Sequence, residues 1–329
     1  YEAAAAAAAA EAAAKAASAP KEEVKELSFE ELLATKVPAI EVVDMGVQYK
    51  GHNPDSQTFV TIGERIHCIS PVIRKAMDER DPAPILKRAA EQIAAGATYL
   101  DVNIGPAEKD GPERMMWAVK LLQENFNNVP LALDTANKKA IEAGIKVYNR
   151  TNGKPIVNSV NGEPEVLEKV LPLCKKYGAA IVGLAIDEKG IQPKAADRVA
   201  IARRITEAAL AAGIPREDIY IDCLTLTASA QQEDVLATVQ ALEACKKELG
   251  VRTVLGVSNI SFGLPCRTYL NTTFLTMAMY AGLDLAIMNP SSEEMMAAVY
   301  AYNVLTNRDP QSTKYIERYA EHVPASAAI

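Results

Sequence analysis

Polar residues of one kind recur at one kind of place along this chain. Asp101 and Asn103, Asp134, Asn158 and Asn161, Asp222, Asn259 and Asn289 each stand at or just beyond the end of a short apolar run, and Asp187 follows another such run a few residues on. An aspartate can accept two parallel hydrogen bonds from a guanidine-like edge, and an asparagine both donates and accepts. Such a set suits a ligand rich in N–H donors and ring nitrogens, such as a pterin. A phosphate site would want basic residues or glycine-rich backbone amides instead. A nucleophilic hydrolase would want Ser or Cys beside a His base, and with three histidines in the chain no such pairing can be assigned. Taken singly, each of these residues has a competing use, because Asp or Asn after a strand often caps the next helix.

The elements that must position them follow a regular rhythm from residue 59 onward. Apolar runs at 59–62, 99–103, 130–133, 155–158, 180–184, 219–221, 253–256 and 285–288 read as strands. Helical stretches near 84–95, 112–125, 137–148, 164–177, 195–212, 233–249, 268–281 and 292–306 alternate with them. The stretch 194–212 carries apolar residues at three- and four-residue spacing, as a one-sided helix requires. Eight strands alternating with eight helices over about 250 residues predict an α/β fold, the (β/α)₈ TIM barrel. In that architecture function sits at the carboxyl ends of the strands, where the Asp/Asn set lies. An open doubly wound sheet finds no support, since no GxGxxG follows the first strand. Strand 1 runs into Gly63-Glu64-Arg65-Ile66-His67. There Glu64 and Arg65 are read as an ion pair at the barrel mouth or as ligand contacts, and His67 as structural. The pairs Met115-Met116 and Met295-Met296 are read as core-facing.

A net charge of −7 without a long Lys/Arg cluster argues against nucleic acid or an anionic membrane as partner. Five cysteines with no CxxC spacing point to separate thiols in a reducing compartment, hence the cytoplasm, and no His pair has metal-ligand spacing. No apolar run reaches the roughly 20 residues of a membrane span. Residues 1–20 are an Ala-rich, helix-favouring tail without the marks of a signal peptide. Residues 21–58 form an N-terminal extension that includes a short strand pair at 40–50, and 59–329 form the barrel domain.

Six stretches then carry a family resemblance. They are Ile62-Gly63-Glu64-Arg65-Ile66, Asp101-Val102-Asn103-Ile104-Gly105-Pro106, Leu133-Asp134-Thr135, Val157-Asn158-Ser159, Tyr220-Ile221-Asp222 and Gly256-Val257-Ser258-Asn259-Ile260-Ser261. Stretches 79–84, 139–144 and 271–279 add to them, in order, over residues 60–306. Together they resemble the pterin-binding methyltransferases, whose barrel is dihydropteroate synthase-like. Methyltetrahydrofolate:corrinoid iron–sulfur protein methyltransferase is the nearer likeness, and the folate domain of cobalamin-dependent methionine synthase is more distant.

The resemblance implies transfer of the N5-methyl group of methyltetrahydrofolate, or a related tetrahydropterin, to Co(I) of a corrinoid. The corrinoid would be held by a separate, possibly iron–sulfur, protein. It implies a homodimer, a role in one-carbon metabolism of the Wood–Ljungdahl kind, and no metal bound by the chain itself. By position, Asp134, Asn158 and Asp222 would hold the pterin ring, with Asp222 on its 2-amino and N3 edge. Asn259 would stand near N5, so the catalytic set is Asn259, Asp134 and Asp222. Arg267 and Ile287 fall on ligand-contact positions, Gly256 and Ser258 line the pocket, and Asp101 and Asn103 complete its polar floor. Phe262 departs from the polar residue of the family pattern. The alternatives are dihydropteroate synthase, which would carry a basic turn where this chain has Ser258-Asn259-Ile260-Ser261, and a non-catalytic pterin-binding subunit of a corrinoid complex.

Overall fold

The computed structural model describes residues 59–320, apart from Pro106. The tail 1–20 and the strand pair read at 40–50 lie outside the described residues. Eight parallel strands close into a barrel: β1 (Val60–His67), β2 (Tyr99–Asn103), β3 (Leu131–Asp134), β4 (Ile156–Asn161), β5 (Ala180–Leu184), β6 (Ile219–Asp222), β7 (Arg252–Gly256) and β8 (Leu285–Met288). Each strand pairs with its sequence neighbours, and β1 pairs with β8 to complete the ring.

The crossover helices are α1 (Pro71–Glu79), α2 (Pro82–Ala94), α3 (Gly111–Asn125), α4 (Lys138–Val147), α5 (Pro164–Tyr177), α6 (Ala195–Ala211), α7 (Val235–Ala244), α8 (Arg267–Tyr280) and α9 (Glu293–Leu305), followed by α10 (Thr313–Tyr319). Their limits have local causes. Pro164 starts α5, where a missing N–H costs nothing, and Gly178 ends it at φ 60°. Asn137 caps α4, its Oδ1 accepting from the backbone N–H groups of Lys139 and Ala140.

The strands separate two cores because alternate side chains point to opposite faces. Outward, Leu100, Val102, Leu131, Leu133, Val157, Ile219, Ile221 and Leu255 pack with the helices, where Met115, Met295 and Met296 are also buried. Inward, Val60, Ile62, Tyr99, Ala132, Ile156, Ala180, Val182, Tyr220, Val254 and Leu285 fill the barrel. The bottom is sealed by the two tyrosines: the Tyr99 hydroxyl donates to the Lys154 carbonyl (3.2 Å), and Lys154 pairs with buried Asp218 (2.6 Å).

Two strands run further than the apolar runs suggested. β1 continues through Gly63-Glu64-Arg65 to His67, with a register shift between Gly63 and Ile66. β4 continues to Asn161, with a shift after Asn158. At the β1 shift the Gln92 side chain of α2 comes close: its Oε1 accepts from the Arg65 N–H (2.7 Å), and a Cβ on Gly63 would lie 2.5 Å from that same atom. Gly63→Ala is therefore expected to displace Gln92 and cost about 1–3 kcal/mol, as overpacking does. Denaturant unfolding that leaves the midpoint unchanged would refute this.

Candidate active site

The period of two carries polar residues into the barrel mouth. Continuing the inward series, β2 places Asp101 and Asn103 above Tyr99, β3 places Asp134 above Ala132, and β4 places Asn158 above Ile156. On the other side β6 places Asp222 above Tyr220, β7 places Gly256 above Val254, and β8 places Ile287 above Leu285. The strand register sets Asn103, Asp134 and Asn158 side by side on one level. The polar floor thus rests on an apolar plug, and Ile287 packs against that plug.

The floor is hydrogen-bonded within itself. Asn103 Nδ2 donates to Asp134 Oδ2 at 2.6 Å, and Asn158 Nδ2 donates to Asp101 Oδ1 at 3.1 Å. Burial and the neighbouring Asp134 charge push Asp101 well above the usual carboxylate range. Burial also raises Asp134, opposed by the hydrogen bonds from Asn103 and Asp101 and by His67. Two carboxylates at such proximity in low dielectric resist ionising together, so they titrate as a pair, with Asp101 the more strongly raised.

Asp222 stands apart from that pair. It is buried, accepts from the Leu224 N–H at 2.7 Å, and is pushed up to about 7 by burial alone. A carboxyl poised there becomes a full anion once a ligand's N–H edge compensates its desolvation. Perturbed carboxyls gathered in one concavity are a mark of a functional site.

The rim of Asp and Asn residues read from the sequence divides by where the strands aim them. Asn161 and Asn289 lie beyond the inward series with their side-chain oxygens on nearby backbone N–H groups, and Asp187 is held by Arg204 at 3.0 Å. These three stand outside the floor, and Asn259 lies on the turn after β7. Asp101, Asn103, Asp134, Asn158 and Asp222 face the interior together. Glu64 and Arg65 do not form the ion pair read from their adjacency. The Glu64 carboxylate instead accepts from the Ser258 hydroxyl at 2.8 Å. His67 accepts from the Ile69 N–H through Nδ1, and burial lowers its pKa against the opposing pull of Asp134.

The turn after β7 carries Ser258, Asn259 and Ser261. Arg267, at the start of α8, holds it with Nη2 on the Ser258 carbonyl (2.7 Å) and Nε on the Ser261 hydroxyl (2.9 Å). The Arg267 guanidinium also lies 5.9 Å from the exposed Phe262 ring. Asn259 is exposed, and its amide leans over Gly256, where a Cβ would stand 3.2 Å from Asn259 Nδ2. Glycine at 256 is what leaves room for that amide at the mouth.

Beside the floor, between the ends of β1 and β2, lies a cavity of about 610 Å³ that shares Asn103 with it and is also lined by His67. Much of its charge is internally matched, with Arg114 on Asp78 and Asp110 and Arg80 on Asp110. Among the described residues no cluster of His, Cys, Asp or Glu is arranged to hold a metal ion. No helix among them is long and apolar enough to cross a membrane. Cys68, Cys174, Cys223 and Cys245 are buried free thiols, and Cys266 is exposed.

Comparison with known proteins shows the fold and the family. The chain is 31% identical over 265 residues to methylcorrinoid:tetrahydrofolate methyltransferase of Eubacterium limosum, covering 80% of this chain and 96% of that protein. It is 35% identical over 244 residues to methionine synthase of Mycobacterium leprae, a match that spans 70% of this chain and 20% of that much longer protein. Among solved structures, dihydropteroate synthase from Xanthomonas albilineans in complex with 7,8-dihydropteroate superposes with a TM-score of 0.58 at 17% identity, covering 77% of this chain and 94% of that one, a likeness of fold. The model of the pterin binding enzyme family matches residues 70–289, a span that contains the whole floor, the β7 turn and Arg267, and the chain belongs to that family.

Proposed function

We propose that this chain is a methyltransferase that moves a methyl group between N5 of a tetrahydrofolate and the cobalt of a corrinoid held by a separate protein. The observation that carries the reading is the floor of inward-facing Asp101, Asn103, Asp134, Asn158 and Asp222 beneath an Asn259 amide that is open at the mouth. The likeness to a methylcorrinoid:tetrahydrofolate methyltransferase over nearly its full length supports the corrinoid half.

Asp222 would accept the 2-amino and N3–H edge of the pterin as a bidentate acceptor. Asp134 and Asn158 would hold the rest of the ring, with Asp101 and Asn103 fixing their orientation. Ile287 would pack beneath the ring, Gly256 and Ser258 would line the wall, and Arg267 would brace the β7 turn. Asn259 would donate to N5.

Co(I) then attacks the methyl carbon, a Co–C bond forms, the C–N5 bond breaks, and its electron pair stays on N5. N5 is a poor leaving group until it is protonated or strongly hydrogen-bonded as the pair arrives. A donor whose bond strengthens only then lowers the barrier rather than the ground state. Asn259 does not titrate, so the proton comes from solvent at the open mouth. By microscopic reversibility the same groups serve transfer from methylcorrinoid to tetrahydrofolate.

The same reading makes the partner a corrinoid protein, iron–sulfur or otherwise, and the enzyme a cytoplasmic homodimer of Wood–Ljungdahl-type one-carbon metabolism. Incubation of the chain with methyltetrahydrofolate and cob(I)alamin is expected to convert the cobalamin spectrum to that of methylcobalamin. No conversion above the protein-free rate would refute the reading.

A further inference from the structure

Glu64 is a half-buried carboxylate that the mechanism above does not use. β8 lies between β1 and β7 in the barrel. The registers Ile62–Ile287 and Ile287–Gly256 put those three residues on one level. Glu64 lies two residues beyond Ile62, in the irregular part of β1, and Ser258 lies two residues beyond Gly256, in the turn after β7; their 2.8 Å hydrogen bond joins the two elements that flank β8.

The same turn is also held by Arg267 through the Ser258 carbonyl and the Ser261 hydroxyl. Asn259, the next residue, has no side-chain hydrogen bond among the described residues, so its direction is set by the turn itself.

Burial disfavours a carboxylate unless something compensates. Around Glu64, burial disfavours the charged form and outweighs the Ser258 hydroxyl, Arg267 and Arg65, which favour it, so its pKa is raised.

We propose that Glu64 is a positioning residue for methyl transfer: by gripping the Ser258 hydroxyl across β8 it fixes the turn that aims the Asn259 amide over the floor. The proposal rests on the reading of Asn259 as the donor to N5. It requires Glu64 to act on the rate through Asn259 and to leave ground-state binding of the carrier nearly unchanged.

The test measures kcat with cob(I)alamin and Kd for methyltetrahydrofolate in Glu64→Ala, Glu64→Gln, Asn259→Ala and the Glu64→Ala/Asn259→Ala pair. Glu64→Ala should lower kcat by about tenfold or more while Kd stays within about threefold, the pattern of an interaction felt mainly in the transition state. Glu64→Gln keeps an oxygen that accepts from Ser258. It should retain kcat within about threefold of wild type and melt no lower, since it sheds a buried charge. In the Asn259→Ala background Glu64→Ala should have no further effect, because residues that act through one another are not additive.

If Glu64→Ala does not fold, Ser258→Ala removes the same bond from its other end; because Ser258 also lines the pocket wall, it is judged by a kcat loss that disappears in the Asn259→Ala background. Wild-type kcat in Glu64→Ala, a Kd that weakens in step with kcat, or an undiminished loss in the Asn259→Ala background would each overturn the proposal. Asn259→Ala at the wild-type rate would instead remove the Asn259 reading on which it rests. A loss in Asn259→Ala with none in Glu64→Ala would remove the Glu64 inference alone.

Discussion

Asn259→Ala is expected to slow methyl transfer by about 10²–10⁴-fold, the range typical of assisting a poor leaving group, while methyltetrahydrofolate binding weakens by less than about tenfold. The asymmetry follows from where the residue stands. Asn259 lies on the turn after β7, exposed at the mouth, with its amide over Gly256. The groups that would hold the pterin ring are lower down and on other strands: Asp134 on β3, Asn158 on β4 and Asp222 on β6. Removing a neutral amide from the mouth leaves that grip intact. What is lost is a donor to a nitrogen that gains its electron pair only as the bond to carbon breaks. Stopped-flow rates beside equilibrium titration separate the two quantities. Equal losses in rate and binding would show that Asn259 serves the ground state only.

Asp222→Asn should separate stability from binding in the opposite sense. With the aspartate buried and pushed up to about 7, the folded protein keeps a proton that the unfolded chain releases near pH 4. Between those values the folded state binds more protons than the unfolded one, so the stability contributed at this site falls as pH rises from about 4 to about 7. Above pH 7 the whole penalty applies. At 1.36 kcal/mol per unit over about three units it is at most about 4 kcal/mol.

Asparagine carries no charge, and its side-chain oxygen can still accept from Leu224. The ligand-free variant should therefore be more stable than wild type at pH 8 and equal to it near pH 4. Thermal unfolding at the two pH values checks this, and a gain of the same size at both would mean that the charge is not its source. Pterin binding should weaken by about 10–100-fold, the loss of one charge-assisted pair. The aspartate thus trades stability for affinity, as polar groups at binding sites commonly do.

The barrel was legible because its two periods are far apart. Residues repeating every second position bury one face of a strand, and those repeating every three to four bury one side of a helix. Helix α5 came out with the limits read for it, since Pro164 and Gly178 mark both ends. α1 went unread: among its nine residues only Ile73, Ala76 and Met77 are buried, too few to show a period. The far half of β1 went unread for a related reason, since Gly63-Glu64-Arg65 looks like loop until the β-ladder with β2 resumes at Ile66.

At the site, the residue types and their places at strand ends were legible, and the strand period alone turns Asp101, Asn103, Asp134, Asn158 and Asp222 inward. What composition could not separate was an asparagine given to a helix cap from one facing a ligand. Asn137 and Asn158 look alike in the chain, and only hydrogen-bond partners tell them apart. The Glu64–Ser258 bond joins residues 194 positions apart and leaves no local trace at all. The specific chemistry at Asn259 came from family resemblance and not from any pattern of its own.

Tyr99 and Tyr220 fill the barrel beneath the polar floor, side by side with the aliphatic residues of the inner core. They make the barrel a well and not a tube. A molecule seated on the floor has one way in and the same way out, and a second molecule that meets it must stand in that passage. Occupancy is then a stack: the one that arrives last has to leave first.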